Sequence, residues 1–237
     1  MLLTLSLRIS KANANECTGN GGSKFGYPIF VYKSDGGNFT WVQSAIDSIP
    51  QENHQWVKVQ INPGQDQSVT TITFDAHNRT DESATFTSMA DNIVAKGITF
   101  KSSYNHPLLL KNALSERKVL GVLQAVATRI LGDKCAFFEC GFLGLQDMLW
   151  DASGRHYFAK CHIEGAAGFI FGSGQSIYHA CEINVTAGAL SSQYPYGYII
   201  AQGQGSSDDT SGVIFQETTM NADVVPQCWD AWKFPRK

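Results

Sequence analysis

The sequence lacks the long apolar runs and the concentrated charge that mark several common classes of protein. No apolar stretch reaches the roughly 18 residues that a membrane-spanning helix requires. Only 16% of the residues are charged, the net charge is −3, and no basic run occurs, which argues against nucleic-acid binding. No Cys-x-x-Cys pair and no His and Cys set with metal-ligand spacing is present. We therefore expect no membrane partner, no nucleic-acid partner and no metal.

What the sequence does contain is a repeat of about 21 residues around three cysteines. Cys140, Cys161 and Cys181 each follow an aromatic residue by three positions and precede an apolar residue by two. A weaker copy at residues 94–99 lies two such periods upstream of the Cys140 copy. A glycine leads into each of the three main copies, at Gly132, Gly154 and Gly174. Self-similarity at this spacing is typical of a solenoid, in which each repeat stacks on the one before it.

Short β-rich segments, among them residues 93–100, 136–143 and 156–163, follow one another with Gly, Asn, Asp or Ser between them. Strands that recur once per coil stack in parallel, so we predict an all-β protein with a right-handed parallel β-helix. One short helix within residues 39–50 is expected to cover the open N-terminal end, because an uncapped coil presents unpaired strand edges.

The domain organisation follows from the same pattern. We predict that residues 23–237 form one β-helix domain and that residues 1–22 are a degenerate signal segment and a mobile tail. Three Asn-x-Ser/Thr sequons, at Asn38, Asn78 and Asn184, are compatible with secretion.

The cysteines and histidines leave alternatives open. Cys140, Cys161 and Cys181 predict a stacked ladder of small buried side chains, which we favour over disulfides between neighbouring coils. His156 and His162 are expected in loops and at the surface rather than as metal ligands.

A second spacing concerns polar residues. Twenty-two residues separate Gln124 from Gln146, and again Gln146 from Gly168. If this interval is one coil, the three positions form a column with about 4.8 Å between steps. Asp147 lies beside the column, and two amides with one carboxyl suit ester hydrolysis, because amides can hold an oxyanion and a carboxyl can transfer a proton. The alternative, which the spacing alone favours, is a glutamine ladder whose amides only hydrogen-bond to each other.

At these residues the chain resembles the plant pectin methylesterases (pectinesterases). The family motifs read Gln-Ala-Val-Ala, Gln-Asp-Thr-Leu and Asp-Phe-Ile-Phe-Gly, and this chain has residues 124–127, 146–149 and 168–172 in their places. The likeness extends from about Phe30 to Trp232. It implies a secreted β-helix protein of the plant cell wall that hydrolyses the methyl esters of homogalacturonan (pectin) without a cofactor, and we expect it to be a monomer.

The resemblance also implies roles for individual residues. By position, Asp147 is the general acid and then the base, Gln146 an oxyanion donor and Gln124 a further stabiliser. Gly168 stands at the nucleophile position, where the family has an aspartate. The motif Leu-Gly-Arg-Pro-Trp, whose arginine orients that nucleophile, is absent, and a piece of about one coil is missing near Gly212, where the chain runs directly into residues 213–215. A second piece of about one coil is missing after Gly64.

These departures predict impaired hydrolysis, because loss of a covalent nucleophile commonly costs on the order of 10⁴ to 10⁶ in rate. Two alternatives stay open: a non-catalytic wall protein that binds pectin, and the product of a degenerate or truncated gene. The candidate sugar-stacking residues are Trp150, Phe169, Tyr198 and Trp229, although core packing is the favoured explanation for Phe169.

Overall fold

The computed structural model describes residues 28–33, 36–50, 53, 56–62, 70–104, 123–186, 197–202, 211–221 and 224. Most of its strands belong to three parallel sheets, each of which takes one strand from successive coils of the chain. The predicted right-handed parallel β-helix is confirmed. Residues 1–22, Gly64 and Trp229 lie outside the described residues, so the predictions made for them are not addressed by the structure.

The three sheets are named here by the strands that they contain. Sheet 1 consists of β4 (Phe86–Ser88), β7 (Thr128–Ile130), β10 (Leu149–Asp151), β13 (Ile170–Gly172) and β16 (Ile200–Ala201). Sheet 2 consists of β5 (Val94–Lys96), β8 (Cys135–Phe138), β11 (Arg155–Ala159), β14 (Gln175–His179) and β17 (Gly212–Gln216). Sheet 3 consists of β3 (Thr70–Phe74), β6 (Ile98–Ser102), β9 (Gly141–Leu143), β12 (His162–Gly165), β15 (Glu182–Val185) and β18 (Thr219–Met220). The remaining strands, β1 (Ile29–Val31) and β2 (Val59–Ile61), form a separate parallel pair.

Aromatic residues stacked inside the solenoid hold successive coils in register. Phe158 of β11 lies opposite Phe137 on one neighbouring coil and opposite Tyr178 on the other, as the cysteine repeat predicted. The ring centroids are 5.1 Å and 4.5 Å apart, and the planes are nearly parallel. All three side chains are fully buried. Burial of this area and the ring contacts favour the observed register over any slipped one.

The weaker upstream copy is placed differently from the prediction. β5 hydrogen-bonds directly to β8, with Ala95 opposite Phe137, so one coil of 42 residues separates the two copies instead of two shorter coils. The alignment is also one residue away from the predicted one. The extra length is accounted for by the connection between β6 and β7, which runs from residue 103 to residue 127.

The turn from sheet 2 to sheet 3 divides several predicted strands into two. On each coil one residue at this turn has a positive φ, and the set is Gly97, Glu139, Lys160, Ala180 and Glu217. Four of the five are not glycine, although the left-handed region is costly for residues with a side chain. The sequence therefore shows no break there, and residues 136–143 and 156–163 read as single strands.

The cysteine ladder is confirmed. Cys140, Cys161 and Cys181 are buried free thiols at equivalent places on three coils. The main-chain N–H of Cys161 donates to the Sγ of Cys181 over 3.4 Å. Hydrogen bonding to the two neighbouring thiols, together with burial, raises the pKa of Cys161, so this thiol is neutral and unreactive.

One short helix, α1 (Val42–Asp47), lies within the predicted segment and ends before Pro50. Its Ile46 belongs to the same buried cluster as Ile72 of β3, and the helix packs against β1 and β2. With six residues it is the one helix in the described ranges, and it is far too short to cross a bilayer.

At the other end, the stacking continues past residue 212 without a change of face. Gln175 of β14 lies opposite Gly212 of β17, and Tyr178 lies opposite Phe215. Val213 and Phe215 pack against the buried cluster, whereas Ile214 between them is exposed. The last coil therefore keeps its apolar residues inside the solenoid. Loss of a whole coil near Gly212 would preserve this arrangement, whereas loss of part of a coil would turn these side chains to the wrong face.

A buried polar cluster joins sheets 1 and 2, and it corrects the expectation for His156. Asp151 Oδ1 lies 2.5 Å from His156 Nδ1, and Ser176 Oγ donates to Asp151 Oδ2 over 2.5 Å. His156 Nε2 donates to the main-chain carbonyl of Gly132 over 2.8 Å. The prediction of a loop or surface position for His156 is wrong, because both ring nitrogens find partners inside the solenoid. A Cβ at Gly174 would lie 2.0 Å from Asp151 Oδ1, which explains the glycine at that corner.

We expect Asp151→Ala to lower the free energy of unfolding by about 3 to 5 kcal/mol, because His156 and Ser176 would lose their acceptor in a buried site. Urea unfolding measures this loss. The matched control is Glu182→Ala, which removes an exposed partner of His162 and should cost less than about 1 kcal/mol. Equal losses in the two variants would contradict the importance of the cluster.

Candidate active site

The predicted catalytic residues lie in the segments that lead into three adjacent strands of sheet 1. Gln124 precedes β7, Gln146 and Asp147 precede β10, and Gly168 precedes β13. The main chain joins these segments: the N–H of Ala125 donates to the carbonyl of Gln146 over 3.2 Å. The structure therefore brings all four residues together on successive coils.

The register within this group differs by one residue from the predicted column. Gln146 forms a bridge with Ala167, and Leu149 lies opposite Ile170, so the coil here is 21 residues long. An interval of 22 is thus one coil plus one residue. As a result Asp147, rather than Gln146, lies opposite Gly168. The proposed acid/base residue and the nucleophile position are direct neighbours across coils.

Asp147 and Gly168 share an unusual backbone conformation. Their φ angles are 53° and 50°, both in the left-handed region. Aspartate is among the few residues with side chains that are enriched in this region. After Asp147, both Met148 and Leu149 are fully buried, so the turn interrupts the alternation of a regular strand.

Burial raises the pKa of Asp147. Within the described part of the chain, no cation and no hydrogen-bond donor reaches its carboxyl group. A carboxyl that holds its proton more readily is suited to general acid catalysis.

The two glutamines are half-buried, and no hydrogen bond joins their amides or engages either amide in the described ranges. The alternative of a mutually hydrogen-bonded glutamine ladder is therefore not found. Both amides can still donate to a ligand, which is what an oxyanion site requires.

The nucleophile position contains only backbone and has limited room. The N–H of Gly168 donates to the carbonyl of Tyr198 over 2.8 Å. A Cβ built on Gly168 would lie 3.2 Å from the Cβ of Ala201, and no other atom of the described residues outside its chain neighbours comes within 4 Å. No acidic group of the described residues outside its chain neighbours comes within 4 Å of that Cβ.

The predicted sugar-stacking residues divide into two groups. Trp150 is half-buried on the outer face of sheet 1, and Tyr198, next to Gly168, is 37% exposed. For Phe169 the favoured explanation, core packing, is confirmed: its side chain is fully buried in the core and offers no face to a ligand, so the alternative of sugar stacking is contradicted.

Two residues beside Trp150 were missed by the sequence reasoning. Phe171 stacks on Trp150 with ring centroids 5.4 Å apart, and the guanidinium of Arg129 lies 4.2 Å from the centre of the same ring. Arg129, Trp150 and Phe171 recur every 21 residues, and the coil period applied to outward positions of these strands would have found them.

The sequence and the fold of this chain are both similar to those of one family of proteins. Residues 28–230 match the family model described as Pectinesterase. Probable pectinesterase 29 of Arabidopsis thaliana is 38% identical over 87% of this chain and 73% of its own length. Probable pectinesterase 55 of the same plant is 40% identical over 87% of this chain and 67% of its own.

Among solved structures, the pectin methylesterase from carrot superimposes with a TM-score of 0.67 at 21% identity, a likeness of fold. The match covers 87% of this chain but only 66% of the carrot protein. The family model and the two plant relatives together decide the assignment. The chain belongs to the pectinesterase family.

Proposed function

We propose that the chain binds methyl-esterified homogalacturonan (pectin) along the outer face of sheet 1 and hydrolyses its methyl esters only weakly. The observation that carries this proposal is the pair of Asp147 and Gly168. Asp147, to which the family resemblance assigns the acid/base role, lies beside Gly168, which has no side chain at the position of the family's nucleophile, and the relatives are named as pectinesterases.

The residues present support a route in which water attacks the ester directly. Asp147 takes a proton from a water molecule, whose oxygen then bonds to the ester carbonyl carbon. The amides of Gln124 and Gln146 hold the resulting oxyanion. When the C–O bond to the methoxy group breaks, Asp147 returns its proton and methanol leaves, so a galacturonate carboxyl remains.

The rate contributions of the general base and the oxyanion donors indicate how much activity this route provides. A positioned general base contributes on the order of 10² to 10⁴ in rate, and each oxyanion donor roughly 10² to 10³. The covalent route that an aspartate at residue 168 would open is lost, at a cost on the order of 10⁴ to 10⁶. Slow turnover is the expected outcome.

A second candidate function is pectin binding without turnover. It is favoured by the outward-facing aromatic residues of sheet 1, which do not depend on the nucleophile. In either case the site of action would be the plant cell wall, where homogalacturonan occurs, with the chain acting as a secreted monomer. The plant relatives support the wall assignment.

We expect Gly168→Asp to raise methanol release from highly esterified pectin by about 10² or more, because it restores a carboxylate nucleophile. The left-handed backbone tolerates aspartate, as Asp147 shows at nearly the same φ. Ala201→Gly in the same chain would relieve the 3.2 Å approach to the new Cβ.

The matched control is Gly168→Asn, which has nearly the same shape but cannot form the acyl intermediate, and it should leave the rate unchanged. Rapid methanol release by the unaltered chain would refute the proposal that it is impaired.

We expect Asp147→Asn to stabilise the fold at neutral pH. The pKa of Asp147 is raised in the folded state, so its protonated form favours folding, and that stabilisation is lost as the pH rises through the folded pKa. Asparagine has no charge to bury, so the variant should have a higher free energy of unfolding than the unaltered chain. This difference should shrink as the pH falls towards about 4, where the aspartate of the unaltered chain becomes protonated.

Urea unfolding at several pH values measures this difference. Asp133→Asn is the control with the opposite sign, because hydrogen bonding to Arg155 lowers the pKa of Asp133. That variant should lose stability at neutral pH. A loss in both variants would show that Asp147 is not held in an unfavourable charged state.

A further inference from the structure

Three sequons of the form Asn-x-Thr, at Asn38, Asn78 and Asn184, fall within the described residues. Such a sequon can accept an N-linked glycan in a secreted protein, and it does so where the chain runs through a surface loop. The glycan is bulky and stays on the folded chain, so the folded surface must leave room for it. The three asparagines differ in how the fold uses their amides.

Asn184 lies within a sheet, and both ends of its amide are engaged. It belongs to β15, opposite Glu164 of β12. Its Nδ2 donates to Glu164 Oε2 over 3.2 Å, and its Oδ1 accepts from Asn221 Nδ2 over 2.9 Å. The side chain is half-buried between these neighbours. A glycan on Nδ2 would have to displace Glu164 and would leave polar groups without their partners.

Asn38 is exposed, but its side chain holds the loop that follows β1. Its Oδ1 accepts from the main-chain N–H of Phe30 over 2.9 Å, and its own main-chain N–H donates to the carbonyl of the same residue over 2.9 Å. These two bonds fix the amide against the strand. Phe39, the middle residue of the sequon, forms a bridge with Val31. The sequon is therefore part of a strand pairing and not of a free loop.

Asn78 differs from both, because its amide is free and lies beside a surface turn. It is exposed and belongs to residues 75–85, the connection between β3 and β4. Within the described part of the chain, no hydrogen bond engages its side chain. The N–H of Glu82 donates to the carbonyl of Arg79 over 3.1 Å, which closes a turn directly after Asn78. The charged neighbours are occupied with one another, since Arg79 pairs with Asp81 and Glu82.

The turn after Asn78 is held in place by the next coil. The main-chain N–H of Val126 donates to Ser83 Oγ over 3.1 Å. From β4, sheet 1 continues to β7 and then to β10, so two coils separate Asn78 from Asp147. At about 4.8 Å per coil this is a distance of about 10 Å along the solenoid. A glycan at Asn78 would therefore begin beside the candidate active site and not on it.

We propose that Asn78 is the N-glycosylation site of this chain and that Asn38 and Asn184 stay unmodified. The inference rests on the proposed secretion, because only a chain that enters the secretory pathway meets the transferase. In the reaction, Asn78 Nδ2 bonds to the anomeric carbon of an oligosaccharide carried on a lipid diphosphate. The bond from that carbon to a diphosphate oxygen breaks, the lipid diphosphate leaves, and the amide gives up one proton.

The test uses the full chain, expressed in plant cells behind an added secretory signal and recovered from the medium. Mass spectrometry of its peptides, before and after an N-glycosidase that converts glycosylated asparagine to aspartate, reports on each sequon separately. We expect a glycan at Asn78 in most molecules and unmodified asparagine at Asn38 and Asn184. Asn78→Gln should abolish the whole shift in gel mobility that the N-glycosidase causes in the unaltered chain.

Variants of the threonine separate the sequon from the local fold. Thr80→Ala should abolish the glycan although Asn78 stays in place, and Thr80→Ser should retain it, because serine also completes a sequon. The matched control is Asn184→Gln, which removes the sequon in β15 and should leave the mobility shift unchanged. Thr186→Ala removes the same sequon without touching the amide, and it serves as the control if Asn184→Gln does not fold.

The outcomes separate the inference from the proposed function. An unmodified Asn78 in the secreted chain, or a glycan at Asn38 or Asn184, would overturn the inference while the proposed action on pectin stands. The same measurement on the chain with its own N-terminus tests secretion by itself. If only the chain with the added signal carries the glycan, Asn78 is an acceptor and the proposed secretion fails.

Discussion

Every functional feature of this chain depends on the in-register stacking of its coils. The buried rings of Phe137, Phe158 and Tyr178 lie one above the other, and the main-chain hydrogen bonds of three parallel sheets run in the same direction. A shift of one residue would turn each inward side chain towards solvent. The cost of exposing that aromatic stack fixes which residues meet on the outside, where the candidate site lies.

The outer face of sheet 1 combines two kinds of group with different demands on the scaffold. Asp147 and Gly168 occupy left-handed turns just before their strands, whereas Arg129, Trp150 and Phe171 occupy regular positions on those strands. The first pair is placed by an interruption of the strand and the second set by its regularity. Both follow the same 21-residue period, so the two groups are aligned along one direction of the solenoid.

The sequence alone predicted the fold and much of the site. The cysteine repeat aligned Phe137, Phe158 and Tyr178 correctly, because aromatic residues that must stack leave a strong periodic signal. The family motifs located Gln124, Gln146, Asp147 and Gly168. The register of the polar column was one residue off, because an interval of 22 cannot be distinguished from one coil plus one residue without the strand pairing.

Other features left no signal that a single sequence could reveal. The turns at Glu139, Lys160 and Ala180 have no glycine or proline. The burial of His156 depends on partners from two other coils. In each case the deciding contact joins residues far apart in the chain.

The left-handed turn at residue 168 has a consequence for how such a chain can change over time. In this conformation most residues with a side chain carry a strain of roughly 1 to 2 kcal/mol that glycine does not, and aspartate is among the exceptions. A glycine at residue 168 therefore fits the backbone at least as well as an aspartate would. The turn at residue 168 thus makes no demand on the side chain that stands there, and the fold persists whether or not this position carries a reactive group.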